Sequence, residues 1–276
     1  MADLVTQSYV LNVVKAAGTI TTPALASLIT AASAAVEQFC RQPFAPDRYV
    51  ELYDAIDQPS LIVRHRPILA INSVTLYPTG PNPRVFDGTS FDVRSELGRI
   101  SFAPNAGDSF YDWYGGAGFP AWGLDAIQVD YTAGWGFLVA AQAAINPGTA
   151  VVPVSALAGI SQHQSWSIAA GTVLTVDPGL SSAETVTVQA AQNGSLTAVF
   201  AQAHGANCQI TGLLAPADVQ LATALAVGNL INQSDLTKLR ESQGKTVGYE
   251  YVTRTGDLII TPEIRHLLLP WQDVIV

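Results

Sequence analysis

The segment that most constrains the fold is Ala215–Glu241, APADVQLATALAVGNLINQSDLTKLRE. Pro216 suits a first helical turn, where its missing N–H has no partner to lose, and Asp218 adds negative charge there. From Val219 to Ile231 the positions are apolar or small on nearly every side: Val219, Leu221, Ala222, Ala224, Leu225, Ala226, Val227, Leu230 and Ile231. A surface helix shows one apolar stripe, so this pattern predicts a long helix buried on most sides. Charge returns at Asp235, Lys238, Arg240 and Glu241, where the helix should leave the core. The other elements are expected to pack on it.

A second helix is signalled by TTPALASLITAASAAVEQFCRQPF. Thr22 suits an N-cap and Pro23 a first helical residue. Leu25, Leu28, Ile29, Ala32, Ala35, Val36, Phe39 and Cys40 share one helical face, with Ser27, Thr30, Ser33 and Glu37 on the rest. Shorter helices are expected near Thr6–Ala17, stopped by Gly18, and from Thr261-Pro262-Glu263 onward. Between them the pattern turns to strands: Tyr49–Asp54, Ser60–Arg64, Ile68–Tyr77, Phe91–Val93, Arg99–Phe102 and Ala126–Thr132. Ala103–Gly123 is rich in Gly and aromatic residues and reads as a surface loop, as does polar Gly244–Gly256.

Composition shifts abruptly after Phe137. Residues 137–212 hold one Asp, one Glu, two His and no Lys or Arg. Thr172–Val176, Glu184–Gln189, Ser195–Ala201 and Asn207–Thr211 read as four strands, with turns at Asp177-Pro178-Gly179 and Asn193-Gly194. The expected architecture is α+β. A helical core with strands and β-hairpins (1–136 and 213–276) carries an inserted small all-β domain (137–212), sandwich or barrel-like.

The net charge of −9, with 13 scattered Lys and Arg, argues against a surface that grips phosphate. Cys40 and Cys208 make neither a disulfide framework nor a zinc set, so both are expected as reduced thiols. No run reaches the length of a membrane span. His65, His163, His204 and His266 lack metal-type spacing, although His163 and His204 share the insert and could meet. Gly115-Gly116-Ala117-Gly118 lacks the lysine and flanking elements of a phosphate loop, and no G-x-S-x-G turn occurs. Asp54 with Asp57, or Asp108 with Asp112, could pair; exposed acids are more often simply solvated. Arg64 and Arg66 read as a solvated strand face. No enzyme, cofactor or metal is expected.

Several pieces, in order, resemble the head–tail connector (head-completion adaptor) family of tailed bacteriophages: LASLITAASAAVEQFCRQPF, VELYD, RPILAINSVTLY, FDVRSELGRISFA, IQVDYTAGWG and APADVQLATALAVGNLI. In that family the strand ending Y-x-A-G is followed within a few residues by the P-x-D helix. Here Gly136 and Pro216 stand far apart, which agrees with an insertion. The resemblance implies a ring of subunits, commonly twelve, beneath the portal at the virion neck, made in the bacterial host cytoplasm. It would join the head to a stopper or tail component and extend the DNA channel without binding DNA specifically. It implies no catalytic residues. Contact segments would be the N-terminal helix, the loop Ala103–Gly123 and the C-terminal tail. In that tail Ile264, Leu267, Leu268, Trp271, Val274 and Ile275 are the candidate residues for docking on portal or neighbour. Pro270 is expected to break the helix there, leaving Trp271–Val276 as an extended arm. The competing reading is a carbohydrate- or ligand-binding module, with hydrolysis as an option, acting through the insert. Trp113, Tyr114, Trp122, Trp135 and Trp166 would then stack on sugar.

Overall fold

A computed structural model of the chain describes residues 3–58, 60–80, 82–102, 119–242 and 259–272, without the side chains of 56–58, 120–122 and 233–242. The chain forms two compact units, one from Met1–Ala45 with Ala215–Val276 and one from Pro46–Leu214.

The first unit is helical. It contains α1 (Gln7–Val13), α2 (Thr22–Cys40), α3 (Ala217–Ser242) and α4 (Pro262–Leu268), with 3-10 turns at Lys15–Thr19 and Leu269–Trp271. Thr6 caps α1 by accepting from the Tyr9 N–H at 3.2 Å. Thr21, not Thr22, takes the N-cap position of α2, and Arg41 ends that helix in the left-handed conformation. Leu25, Ile29, Ala32, Val36 and Cys40 line the buried face of α2. Ser33 is buried among them because its hydroxyl accepts from the Leu4 N–H at 3.0 Å. Along α3, Val219, Ala222, Thr223, Ala224, Ala226, Val227 and Ile231 are buried, while Leu225 is exposed. This helix packs against α1, α2 and α4. Small alanines let those neighbours approach from several sides.

The second unit is built of strands. β1 (Asp47–Gln58), β7 (Phe119–Ala133), β3 (Ile68–Leu76) and β4 (Arg84–Asp87) form an antiparallel sheet in the order β1-β7-β3-β4. β2 (Leu61–Ile62), β6 (Arg99–Phe102) and β5 (Phe91–Arg94) form a three-stranded sheet. Their shared core includes Val74, Ile100, Phe119, Ile127, Val129 and Tyr131. Phe119 packs beside Phe91 and Phe102, so the expected loop Ala103–Gly123 gives way to strand from Phe119 onward. Residues 103–118, including the Gly-rich run and Asp108 and Asp112, lie outside the described residues.

β8 (Gly136–Ala140), β9 (Gly148–Pro153), β12 (Val173–Val176), β13 (Glu184–Gln192), β14 (Ser195–Phe200) and β15 (Gln209–Leu213) make a six-stranded sheet, with β10 (Ala158–Ser161) and β11 (Gln164–Ser167) as a separate hairpin. The order is β8-β15-β12-β13-β14-β9, and an Ala141–Val154 bridge joins the two ends. The result is a closed barrel, which leaves no long free edge. Val139, Val152, Leu174, Val176, Val186, Val188, Leu196, Phe200 and Ile210 fill it.

The expected α+β helical adaptor core is therefore corrected. Among the described residues strands make up 41% and helices 29%, a β-rich fold. The physical reason is that the strands have apolar cores of their own to pack on: the sheets of residues 46–214 bury two. Strong helical periodicity at the two ends gave those ends too much weight.

Candidate functional site

The C-terminal segment carries the residues expected to dock. Thr261 sits at the N-cap of α4 with Pro262 as the first helical residue. Ile264 and Leu268 are buried within their own subunit, where α4 packs against α2 and α3. Leu267 and Trp271 are half-buried, and Leu269 is exposed. Pro270 does not end the helical path; Leu269–Trp271 continues as a 3-10 turn. The Gln42 side-chain amide donates to the Trp271 carbonyl, and that of Gln272 donates to the Phe39 carbonyl at 3.4 Å. One bond satisfies a tail carbonyl and the other a carbonyl in the last turn of α2, and together they fix the tail to that end of the helix. Val274 and Ile275 lie outside the described residues.

The four histidines do not converge. His204 is wholly buried in the barrel, between two carboxylates. Its Nδ1 lies 2.8 Å from Asp177 Oδ2 and its Nε2 lies 2.7 Å from Glu184 Oε1. Each ring nitrogen must donate to an acceptor-only group, so the geometry calls for an imidazolium. Burial pulls its pKa down, but the hydrogen bonds to Glu184 and Asp177 outweigh that and raise it. For Glu184, burial pushes upward, yet the bonds from His204 and from the Ala201 and Gln202 N–H groups leave its pKa lowered. Backbone bonds between His204 and Ile145 hold the loop that carries the ring. His163, by contrast, stands exposed in the β10–β11 turn and pairs with Glu96 at 2.9 Å. His266 lies exposed in the last turn of α4.

A second polar cluster lies on β1 and β7. Glu51 Oε2 accepts from the Tyr131 hydroxyl at 2.6 Å and from the Tyr53 hydroxyl. His65 Nε2 approaches Glu51 Oε1 at 3.5 Å, and the His65 ring stacks on Tyr49 with centroids 3.8 Å apart. The Tyr131 oxygen also accepts from the His65 N–H at 3.1 Å. Burial, reinforced by the Glu51 carboxylate, raises the pKa of both phenols, that of Tyr53 to about 12. They stay protonated as donors, so the cluster is a hydrogen-bonded brace with no activated nucleophile. Arg64 lies over the Tyr53 ring, 5.5 Å from its centroid.

A third network joins the open sheet to the barrel. Arg48 pairs with Asp130 through two guanidinium nitrogens. The Asn72 amide donates to Asp130 at 2.8 Å and accepts from Gln209 at 2.6 Å. Gln209 accepts in turn from the Thr132 hydroxyl at 2.6 Å. Ser161 and Gln162 reach back to the carbonyls of Gly136 and Gly134.

Among the described residues the remaining candidates do not form a catalytic set. Asp54 accepts from the Asp125 N–H at 3.0 Å, and the Asp57 side chain lies outside the described residues. Trp166 stacks on Phe137 at 4.2 Å with the rings 6° from parallel, packed on the barrel core. Trp135 is half-buried; Trp113, Tyr114 and the Trp122 side chain lie outside the described residues. Burial pushes the Cys40 thiol up to about 12 and the Cys208 thiol to about 11, far from reactive thiolates. Among the described residues no group of three or more His, Cys, Asp and Glu could hold a metal ion, and no helix is long and apolar enough to cross a membrane.

Sequence reasoning missed all three polar clusters. Their members lie far apart in the chain, as Arg48 and Asp130 or Glu51 and Tyr131 do. The one available signal was the lone acids, Asp177 and Glu184, in a segment otherwise without charge. Comparison with known protein families and with curated proteins finds no match.

Proposed function

We propose that this protein is a structural head–tail adaptor of a tailed phage, assembling as a ring beneath the portal and joining the head to the next stopper or tail component. The observation that carries the reading is the pairing of α2 with α3. These two helices hold LASLITAASAAVEQFCRQPF and APADVQLATALAVGNLI, the first and last of the segments that resemble the family. They stand about 170 residues apart in the chain yet pack on each other in the unit made from both chain ends. These two of the six segments thus belong to one structural body, while the other four lie in the strand unit. Two further features support it. The polar clusters are braces whose donors and acceptors are already engaged, as suits a scaffold. The net charge of −9 suits a channel wall that must let DNA pass.

Within this reading the C-terminal docking role narrows. Ile264 and Leu268 hold α4 in place, and Leu269 presents apolar surface to a partner. The test is cosedimentation with portal rings of the phage that encodes the chain, followed by electron microscopy. The reading expects a stoichiometric collar on one end of the portal. Portal rings that stay bare at saturating protein would refute it.

A further inference from the structure

The chain carries 22 acidic residues against 13 Lys and Arg, yet one face of the three-stranded sheet is basic. β2, β6 and β5 lie side by side, and Leu61, Ile100 and Val93 form one row across them. Leu61 and Ile100 are buried in the core, so the next row, Ile62, Arg99 and Arg94, lies on the opposite face. All three are exposed, Ile62 at 65%. Leu97, in the turn between the two arginines, is 54% exposed.

Arg94 and Arg99 are directly opposed across β5 and β6. Residues so placed have Cβ atoms about 4.5–5.5 Å apart, and like charges there repel. No carboxylate among the described residues relieves the repulsion. Glu96, which stands between them in the chain, pairs with His163 at 2.9 Å instead. Asp92 shares their face, opposite Ser101, and forms no ion pair with either arginine. Two exposed guanidinium groups thus stand together without an acid, in a chain of net charge −9.

We propose that this row is a docking site for an acidic segment of a partner protein, with its carboxylates on Arg94 and Arg99 and its apolar side chains on Ile62 and Leu97. A guanidinium matches a carboxylate with two parallel N–H bonds. A carboxylate placed between the two arginines also removes their mutual repulsion, so the bound state gains twice from the same charge. The apolar neighbours favour polypeptide over nucleic acid. A phosphate backbone needs many basic contacts, and beyond this row it would meet an acidic protein. The proposal does not rest on the adaptor reading, because it is argued from this one face.

The test uses the full chain and a fluorescein-labelled peptide repeating Asp, Leu, Glu and Gly, with the same peptide carrying Asn and Gln in place of the acids as its control. Fluorescence anisotropy at low salt should show the acidic peptide bound at least ~10-fold more tightly than the control, and added salt should weaken it. Arg94→Gln and Arg99→Gln should each weaken it ~5-fold or more, whereas Arg94→Lys and Arg99→Lys, which keep the charge and lose the fork, should fall between. Each glutamine variant loses only a like-charge contact and should melt at or above the parent. Lys15→Gln, which removes the same charge from the helical unit, should bind as the parent does. Equal binding of the two peptides, or of the parent and the arginine variants, would overturn the site. An oligonucleotide held by these arginines more tightly than the acidic peptide would overturn the choice of partner. Self-association of the parent that both glutamine variants lose in sedimentation would make a second copy the occupant and overturn it as well.

Discussion

His204 shows how much one side chain can hold. Its ring is the counter-ion for both acids of the barrel. His204→Ala would leave two carboxylates facing each other, and the barrel should lose about 3 kcal/mol or more in urea denaturation followed by Trp fluorescence. The pH dependence follows from the two directions of shift. The His204 pKa is raised above 6.5 in the folded state, so its contribution is full below that value and is lost as pH rises through the folded pKa. The Glu184 pKa is lowered from 4.5, so its contribution is present above that value and is lost as pH falls through the folded pKa. Stability should therefore peak between the two, and the His204→Ala variant should lose the decline on the alkaline side. Tyr131 makes a comparable point. Its hydroxyl donates to Glu51 and accepts from the His65 N–H. Tyr131→Phe removes both bonds without changing the packing, so equilibrium unfolding should report a loss of about 1–3 kcal/mol.

At the scale of elements, α4 is the informative case. Leu268→Ala would open a cavity beside α2 and α3, at a cost of about 2–5 kcal/mol. Truncation after Leu269 removes Trp271, whose carbonyl accepts from Gln42. It should lower the melting temperature by several degrees rather than leave it unchanged, which differential scanning calorimetry would measure. Elements with a local code were readable from sequence. The apolar face of α2, the Thr261-Pro262 start of α4 and the Asn193-Gly194 turn between β13 and β14 each depend on neighbours a few residues away. β4, β8, β9 and the β10–β11 hairpin were not readable. They are short, and their pairing is set by partners distant in the chain, as Ala150 pairs with Ala198. The polar clusters were hidden for the same reason. Arg48, Asn72, Asp130 and Gln209 meet only after the strands have paired.

For the whole molecule, charge and topology point the same way. Both ends of the chain build the helical unit, and the long middle builds the strand unit. At −9 the protein should show no salt-dependent shift of duplex DNA near physiological ionic strength, since it lacks a basic stripe to release counterions. The central claim is that the protein completes the junction between head and tail. It is tested most directly by electron microscopy of lysates from a phage whose copy of this gene carries an early stop codon. The account predicts heads and tails that accumulate separately, and joined virions when the full chain is supplied in trans. Complete, infectious virions formed without the protein would contradict it.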